Sequence, residues 1–566
     1  MEEALPAMVQ VHCRWPRVGP KNGRVRRLEE NRAAIASIDQ RGIDSRGSQG
    51  SARARSMSDH AVANLLRSPE RLVIIEAAAG CGKTYQAAAY AQEVVGAIGD
   101  GRLLILTHTH AACSVFAERT KKAGARVEIK TIDALIAQIA LAYHEPLGLP
   151  RDLTSWAWQD GGRGFEIMAT KVAGFLRHQP MVARALAQRY PVIVCDEHQD
   201  TSVDQHSVVM SLLSAGAVVR IFGDPMQRIY GAKTDKAARE DRARWDALKA
   251  QGAGEKLITP HRWQTGCPLL GAWVIEARES LERGIPIDLT GALPPSVRVL
   301  VGNNTAQMRT GYKLSKEHRA PIDKVLKSSS QLMILASQND LVSALRAFWF
   351  RTVPIWEGHT RNALGALVQT LRAGHGDPEA LAQGVITFMG SVAAGFSSSS
   401  HGDRLLQEVR TGAARSTTGK PANIQAVARC LLNSPSHTGV SNALAKIAAL
   451  VKENAAGFDT VKIDHWSELR DAVRIGQFAD PDEGFAEVSR MRSHSHPSLP
   501  PKVLSSIHKA KGLECDHAML MACDKGQFTS TLYAKSKMYV AFSRAKKSLT
   551  LVVSTSNPSP LFKLRW

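Results

Sequence analysis

The chain has few cysteines for its length, and none of them lie close enough in sequence to form a recognisable pair. Eight cysteines are spread over 566 residues, and no CxxC spacing occurs. This distribution argues against disulfides, zinc ribbons and iron–sulfur clusters, and it favours a reducing cytoplasm as the location. The sequence also lacks an apolar run long enough to span a bilayer and an evident signal peptide, so we expect no membrane partner.

Negative charge is scarce relative to positive charge. The chain has 72 Lys and Arg against 52 Asp and Glu, which gives a net charge of +20 and a pI of about 9.7. This excess predicts a polyanionic partner, although a solvated basic surface without a partner would give the same balance. The chain is too long to fold around a single hydrophobic core, so we expect several domains.

The pattern of apolar runs in residues 58–255 predicts a parallel α/β unit. Short β-rich runs alternate there with helical patterns, as in sheets whose strands bind ligands at their carboxyl ends. A mainly helical insertion that contains tryptophan interrupts this unit at about 141–188. The predicted strands are 72–75, 103–107, 127–131, 192–195 and 218–222.

A second α/β unit is predicted in residues 256–350 and 500–566, with a mainly helical insertion at 351–499 between its two parts. Residues 1–57 are rich in basic residues, Gly and Ser and show little periodicity, so we expect a basic, disordered extension. The predicted strands of the second unit are 331–336, 503–507, 518–522 and 549–553.

The most informative motif is a glycine-bearing turn between an apolar run and a helical pattern. Backbone N–H groups in such a turn can wrap a phosphate chain at a helix N-terminus. Lys83 would reach the β and γ phosphates, and the Thr84 hydroxyl would bind Mg²⁺. Glycine is expected where Ala77 stands, so a turn that binds nothing remains the alternative from these residues alone. The turn consists of Ala77, Ala78, Ala79, Gly80, Cys81, Gly82, Lys83 and Thr84.

Two carboxylates follow the predicted strand 192–195. Asp196 would hold Mg²⁺ through its water shell, since this ion usually keeps several waters. Glu197 would orient or deprotonate the attacking water. Gln227, in a turn after the strand 218–222, can hydrogen-bond both the γ-phosphate and that water. Such residues also end strands and form turns without any function, so the prediction depends on their combination with Lys83.

The series of motifs resembles, in order, that of superfamily 1A DNA helicases of the UvrD/Rep/PcrA type. Residues 77–84 fit this family's form of the P-loop, in which alanine at the first position is expected. The resemblance implies an α/β fold with two RecA-like parallel-sheet P-loop domains and mainly helical insertions, and it implies ATP and Mg²⁺ as cofactors. The other matching segments are 106–119, 130–133, 196–200, 223–230, 261–262, 507–514 and 539–547.

The same resemblance implies roles for residues outside the P-loop. Arg262 and Arg544 would reach the γ-phosphate from the second unit and stabilise charge in the transition state. Glu514 would bind the ribose, and His261 stands where relatives have a tyrosine that stacks on adenine. Contacts with the DNA strand are expected from Thr107, His108, His110, Thr131, His508 and Lys509.

Three departures from the family pattern affect recognition of the base and of the strand. The segment 58–68 lacks the glutamine that reads the adenine edge in relatives, and His261 replaces the stacking tyrosine. After Tyr230, relatives carry an aromatic–Arg pair, which is missing here. One stacking platform for a base, worth about 1–3 kcal/mol, is therefore absent unless Trp245 or Trp263 supplies it.

Three classes of function are compatible with these residues. We expect an ATP-dependent translocase on single-stranded DNA that unwinds tailed duplex DNA, with 3′-to-5′ polarity implied by the resemblance. The alternative is a DNA-stimulated ATPase that remodels protein–DNA complexes or activates a separately encoded nuclease or repair protein. A nucleotide-sensing scaffold without turnover is disfavoured by the complete set of catalytic side chains. RNA remains an alternative substrate, since stacking and phosphate contacts do not exclude a 2′-hydroxyl.

Overall fold

The computed structural model describes residues 51–151, 153–158, 163–231, 234–306, 311–356, 362–494 and 499–565. Most of the predicted extension 1–57 therefore lies outside the described residues. The first described element is helix α1, Ser51–Leu66, which runs across the predicted boundary at residue 58. The segment before that boundary contains Ala, Arg and Met, which are good helix formers, so nothing in it ends the helix.

The first sheet has six parallel strands in the order β3-β2-β4-β5-β1-β6. Strands β1, β2, β4 and β5 are buried along their whole length, which explains their continuous apolar sequence. The strands are β1 Leu72–Ala77, β2 Leu103–Thr107, β3 Val127–Thr131, β4 Val192–Cys195, β5 Val218–Gly223 and β6 Ala253–Leu257.

Helices connect the strands of the first sheet and cover it. Helix α2 begins inside the P-loop. Helices α5 and α6 lie within the predicted insertion at 141–188, and α7 ends one residue after it. After α1, the helices are α2 Lys83–Val94, α3 His110–Arg119, α4 Ile132–Ala142, α5 Leu153–Trp158, α6 Arg163–His178, α7 Pro180–Arg189, α8 Val203–Ser214 and α9 Asp235–Gln251.

The second sheet has five parallel strands in the order β12-β9-β13-β14-β8. A short parallel pair, β7 with β15, lies beside it. The strands are β7 Ile287–Asp288, β8 Val297–Val301, β9 Leu332–Ala336, β12 Lys502–Ser506, β13 Cys515–Cys523, β14 Ala545–Val553 and β15 Phe562–Lys563. The helices of this unit are α10 His261–Gln264, α11 Pro268–Arg283, α12 Lys316–Ser328, α13 Asn339–Phe348, α21 Ile507–Ala510 and α22 Leu532–Phe542.

The region between the two parts of the second sheet is mainly helical and has a hydrophobic core of its own. Its only strands within the described residues form the antiparallel pair β10 Ala393–Ala394 and β11 Lys462–Ile463. Its helices are α14 Asn362–Ala373, α15 Pro378–Val392, α16 Asp403–Arg410, α17 Lys420–Asn433, α18 His437–Lys452, α19 Trp466–Ile475 and α20 Pro481–His494. Among the described parts of the chain, no helix is long and apolar enough to cross a membrane.

The predicted fold class is confirmed, since each strand predicted for the two sheets is present and the sheets are parallel. Two edge strands were not predicted. Strand β6 carries Gly, Glu and Lys at exposed positions, and β8 is only partly buried. An edge strand is covered less than a central strand, so its sequence does not need a continuous apolar run.

The two sheet units are joined by a shared apolar interface. Ala79 of the P-loop and Met226 and Ile229, which follow β5, belong to the same hydrophobic cluster as residues that cover the second sheet. Two of these second-unit residues contact the P-loop itself: Trp263 lies against Gly80, and Tyr539 lies against Ala79. The P-loop is therefore packed against the second unit as well as against its own sheet.

A buried arginine anchors α1 to the first sheet. Arg220 of β5 is fully buried and donates hydrogen bonds to the backbone oxygens of Leu66 at 2.8 Å, Ser68 at 3.0 Å and Glu70 at 2.8 Å. Its guanidinium also lies 5.5 Å from the centre of the Tyr90 ring. The cation thus satisfies carbonyl groups where α1 ends, at the negative end of the helix dipole.

Replacing Arg220 with Met should lower the free energy of unfolding by roughly 2–4 kcal/mol, because buried carbonyl groups would lose their donor. Arg298→Met is the matched control, since Arg298 is an exposed strand residue on β8. Urea denaturation of both variants measures the difference. Equal losses of stability in the two variants would contradict the anchoring role.

Candidate functional site

The P-loop joins the carboxyl end of β1 to the N-terminus of α2. Gly80 and Gly82 have φ values of +73° and +87°, in the left-handed region that favours glycine. A Cβ atom at Gly80 would lie 2.8 Å from the Cβ of Arg262 and 2.8 Å from the Trp263 ring. Glycine is therefore required at Gly80 both by the backbone conformation and by the close approach of the second unit.

The remaining loop residues, Ala77, Ala78, Ala79 and Cys81, are buried. The amide of Ala79 donates a hydrogen bond of 2.7 Å to the Tyr539 hydroxyl of α22. Burial, followed by the nearby Asp224 carboxylate, raises the pKa of the Cys81 thiol to about 12. The loop is thus held in place from both units and has a protonated thiol at its centre.

Lys83 lies at the start of α2 and forms an ion pair with Glu197, with 2.6 Å between Nζ and Oε1. Burial would raise the pKa of the Glu197 carboxyl, but the ammonium groups of Lys83 and Lys511 outweigh it and lower that pKa to about 2. Glu197 also has a left-handed backbone with a φ of 53°. Strain of this kind in a non-glycine residue is concentrated at functional sites.

Asp196 follows β4 and has an oxygen without a partner. Its Oδ1 atom is buried and has no hydrogen-bond partner among the described residues. Burial and the neighbouring charge of Glu197 raise the pKa of the Asp196 carboxyl to about 7. Such an unsatisfied carboxylate fits a divalent cation, which would supply the missing partner.

The described residues contain no group of three or more His, Cys, Asp and Glu side chains that could hold a metal ion. A metal site built from protein side chains alone is therefore not found among these residues. Mg²⁺ is commonly bound through one or two carboxylates together with nucleotide phosphates and waters. Asp196 and the half-buried Thr84 at the start of α2 match that mode of binding.

A chain of amide and carboxylate groups connects Glu197 with Gln227. Gln199 donates to Glu197 through its amide nitrogen, and its amide oxygen accepts the backbone N–H of Asp224 at 3.0 Å. The Gln227 amide nitrogen donates to Asp224 Oδ2 at 3.0 Å. Gln199 and Gln227 lie on two short 3₁₀ turns, His198–Asp200 and Pro225–Gln227, that follow adjacent strands of the first sheet.

The second unit places Arg262 and Glu514 directly at the P-loop. The Arg262 backbone N–H donates to the Gly80 carbonyl at 3.1 Å, and its guanidinium donates to the Ser543 carbonyl at 2.6 Å. The guanidinium also pairs with Glu514, with 2.5 Å between Nη2 and Oε1. The two residues predicted to bind different parts of the nucleotide therefore bind each other in this structure.

Arg544 is buried and held by its own unit. Its guanidinium donates to the carbonyls of Val540 at 2.9 Å and Leu513 at 3.0 Å, and to the Ser543 hydroxyl at 2.7 Å. Burial, followed by the charge of Arg262, lowers the pKa of Arg544 to about 10. The structure thus brings both predicted arginines to the same side of the cleft, with Arg544 less exposed than Arg262.

His261 lies against the P-loop, with its Cδ2 atom 3.2 Å from the position of a Cβ on Gly82. Its Nε2 atom is 2.8 Å from Asp59 Oδ2, and its Nδ1 atom is 3.2 Å from Gln264 Oε1. Asp59 belongs to α1, in the segment where relatives carry the base-reading glutamine. The ring of His261 is thus oriented by a carboxylate at the rim of the nucleotide cleft.

Two of the predicted DNA contacts are neighbours at one edge of the first sheet. Thr107 and Thr131 pair in register at the carboxyl ends of β2 and β3, and both are buried. The Thr131 hydroxyl accepts the backbone N–H of Ala134 and caps α4. His108 follows Thr107, and burial lowers its pKa. His110 begins α3, and its side chain lies outside the described residues.

The other predicted DNA contacts lie on α21 of the second unit. His508 hydrogen-bonds the Tyr533 hydroxyl at 2.7 Å, and its carbonyl accepts the Tyr230 hydroxyl at 2.9 Å. Lys509 lines a cavity of about 330 Å³ between the second sheet and the helical region. Tyr230 is 41% exposed, so it presents an accessible ring next to His508.

The suggestion that Trp245 or Trp263 replaces the missing stacking platform is wrong. Trp263 is fully buried and donates from its indole to the Ala545 carbonyl at 2.7 Å. Trp245 is buried in the first unit and donates to Glu76. Both rings are part of the protein interior, where a base cannot stack on them. The partly exposed Tyr230 is closer to such a platform, although Lys511 Nζ lies 5.1 Å from the centre of its ring.

Lys511, which was not predicted from the sequence, connects the second unit to the turns that follow β4 and β5. Lys511 forms a buried ion pair with Asp200 and donates to the Gln227 carbonyl at 2.7 Å. Both residues lie within recognised motifs, but only the fold brings them together. The available signal was that Asp200 lies in the same motif as Asp196 and Glu197, and Lys511 in the same motif as Glu514.

Two regions of the chain match known domain families. Residues 59–233 match the AAA domain, and residues 485–556 match the UvrD-like helicase C-terminal domain. A segment of 106 residues, 19% of this chain, is 30% identical to RecBCD enzyme subunit RecB of Mycolicibacterium smegmatis (strain ATCC 700084 / mc(2)155). That segment spans 9% of the relative, so the likeness covers a small share of its length.

Replacing Asp196 with Asn should stabilise the nucleotide-free protein, and the gain should grow with pH. The pKa of this carboxyl is raised from 3.8 to about 7, so its charge costs increasing stability across that interval and a constant amount above it. A difference of one in pKa corresponds to about 1.4 kcal/mol. Thermal unfolding at about pH 5 and about pH 8 measures the change.

The control for this experiment is Asp246→Asn, because Asp246 is a half-exposed carboxylate on α9. That variant should give no gain in Tm at either pH. A gain for Asp196→Asn that is equal at both pH values would show that charge burial is not its cause.

Proposed function

We propose that this chain, which matches the AAA domain and the UvrD-like helicase C-terminal domain, is a UvrD-like superfamily 1 helicase. In this proposal it is an ATP-dependent translocase that moves along single-stranded DNA and unwinds tailed duplexes. The polarity we propose is 3′ to 5′, which follows from the family resemblance. The observation that carries the proposal is the meeting of two sets of side chains at one P-loop. Lys83, Asp196 and Glu197 come from the first unit, and Arg262 and Glu514 come from the second.

We assign the parts of the chain accordingly. Residues 58–255 form the first RecA-like domain, with 141–188 as its insertion. Residues 256–350 and 500–566 form the second, and 351–499 form a helical insertion. The shared apolar interface supports a motor in which these two domains move against each other around the P-loop.

The ion pairs at the P-loop support a swap of partners when nucleotide binds. Lys83 would leave Glu197 for phosphate oxygens, which frees the Glu197 carboxylate to accept a proton from the attacking water. Bound Mg²⁺ would neutralise phosphate charge next to Asp196 and Thr84. Loss of the Lys83 partner also removes a main cause of the low Glu197 pKa, so this carboxylate becomes a stronger base when the site is filled.

The Arg262–Glu514 pair would open in the same way. Arg262 would turn to the γ-phosphate, and Glu514 would become available to the ribose hydroxyls. Arginines that stabilise the transition state of phosphoryl transfer contribute about 10³–10⁵ in rate. In each ion pair the carboxylate holds the cation in place until a negatively charged phosphate of the nucleotide becomes the partner of that cation.

A second candidate function is a DNA-stimulated motor that does not separate strands. The burial of Trp245 and Trp263 favours it, because the stacking platform missing after Tyr230 is not supplied by either ring. The likeness to a protein named as a subunit of the RecBCD enzyme agrees with a motor that acts together with other subunits. In this second proposal the partner is a separately encoded nuclease or repair protein.

ATP turnover should depend on Lys83 and on single-stranded DNA. Lys83→Ala should lower kcat by roughly 10²–10³, which is typical for the loss of one positioned electrostatic group. Lys121→Ala, which changes an exposed lysine after α3, should leave turnover unchanged. Rates are measured with single-stranded DNA, with single-stranded RNA and without nucleic acid. Full turnover by the Lys83 variant would overturn the assigned site.

Strand separation is tested on a duplex with a 3′ tail, with a 5′-tailed duplex as the control. The translocating helicase should release the labelled strand from the 3′-tailed substrate alone, and only with ATP. Release of a bound streptavidin from single-stranded DNA without duplex unwinding would instead support the second function. Preference for the 5′ tail would contradict the proposed polarity.

A further inference from the structure

Helix α11 carries an arginine on its apolar face. The helix packs on the second sheet through Leu270, Val274, Ala277 and Leu281, which are all buried. Arg278 lies among these positions and is also buried, although arginine is rarely buried unless it is paired. Its guanidinium extends from the second unit into the first.

Three carboxylates surround this guanidinium. Nη2 lies 2.9 Å from Asp224 Oδ1 and 3.3 Å from Glu76 Oε1, and Nη1 lies 3.0 Å from Glu282 Oε2. Asp224 is 0% exposed and Glu76 is almost completely buried. Buried carboxylates that lose their cation are strongly destabilised, so this cation fixes where Asp224 can lie.

Asp224 in turn fixes Gln227. One carboxylate oxygen of Asp224 binds Arg278 and the Met226 backbone N–H, the latter at 3.1 Å. The other oxygen accepts the Gln227 amide N–H at 3.0 Å. The orientation of the Gln227 amide therefore depends on a carboxylate whose own position depends on α11.

The same guanidinium also lies next to the P-loop. It is 5.9 Å from the centre of the Tyr539 ring, whose hydroxyl binds the Ala79 amide. Arg278 thus contacts a residue at the end of β5 and a residue that holds the P-loop. No motif that identifies the nucleotide site contains it.

We propose that Arg278 is a positioning residue for ATP hydrolysis, which acts through Asp224 to hold Gln227 towards the γ-phosphate and the attacking water. This inference rests on the proposed function of the site. Because Arg278 belongs to the second unit, Gln227 is correctly held only when the two units are closed against each other. Hydrolysis is thereby restricted to the closed arrangement of the motor.

The test compares Arg278→Gln with Glu282→Gln in the DNA-stimulated ATPase assay. Arg278→Gln should lower kcat by about tenfold to a hundredfold, as expected when a reacting group is misplaced, and should leave the KM for ATP unchanged. Glu282→Gln removes another partner of the same guanidinium but leaves its contact with Asp224, so kcat should be unchanged. Equal losses of kcat in both variants would overturn the proposal.

A double-mutant cycle with Gln227→Ala separates positioning from general damage. If Arg278 acts through Gln227, adding Arg278→Gln to the Gln227→Ala protein should not lower kcat further. If the fold-loss of kcat in the double variant equals the product of the two single losses, the proposal is overturned. Thermal unfolding of each variant is measured in parallel. If Arg278→Gln does not fold, Arg278→Lys is used in its place, because it keeps the buried charge with a different geometry. Absence of turnover in the wild-type protein would refute the proposed function itself.

Discussion

The close approach of Gly80 to Arg262 and Trp263 is the contact on which the rest of the site depends. It leaves no space for a side chain at position 80 of the P-loop, and it places the second unit directly against that loop. The hydrogen bond from the Arg262 amide to the Gly80 carbonyl fixes the register of this contact. The apolar cluster around Trp263 then extends the contact into a shared core. A nucleotide cleft is thereby built from two sheets that are distant in sequence.

Charged side chains at this cleft form ion pairs, and we propose that bound nucleotide replaces one partner of each pair. Lys83 with Glu197 and Arg262 with Glu514 each combine a cation that we propose for phosphate with a carboxylate that we propose for water or ribose. Lys83 is buried, and a buried cation without a partner is costly, so Glu197 stabilises it where it lies. Glu514 is 43% exposed, so its pair with Arg262 is held less by burial and opens at a lower cost. Lys511 and Arg278 are different, because their partners are structural carboxylates of the first unit. Lys511 and Arg278 hold the two units together, whereas the Lys83–Glu197 and Arg262–Glu514 pairs are the ones that we propose to change partners.

Much of this arrangement could be predicted from sequence, and the exceptions have physical reasons. Central strands such as β1 and β5 are buried on both faces and therefore have continuous apolar runs, whereas the edge strands β6 and β8 do not. The P-loop and the carboxylates after β4 are local motifs next to predicted strands, so their place in the fold could be predicted from the sequence. The contacts of His261 with Asp59 and of Arg278 with Asp224 join distant segments, and no local pattern contains them. Whether Trp245 or Trp263 supplies a stacking platform stayed open, because sequence does not distinguish a buried ring from an exposed one; both are buried.

Cys81 gives the phosphate loop an unexpected chemical property. The thiolate is the form that reacts with oxidants and alkylating agents, and a pKa of about 12 keeps this sulfur protonated at neutral pH. The same burial denies reagents access to it. Burial and protonation together therefore make the Cys81 sulfur a poor target for oxidants and alkylating agents at neutral pH, even though it lies in the loop that would hold phosphate.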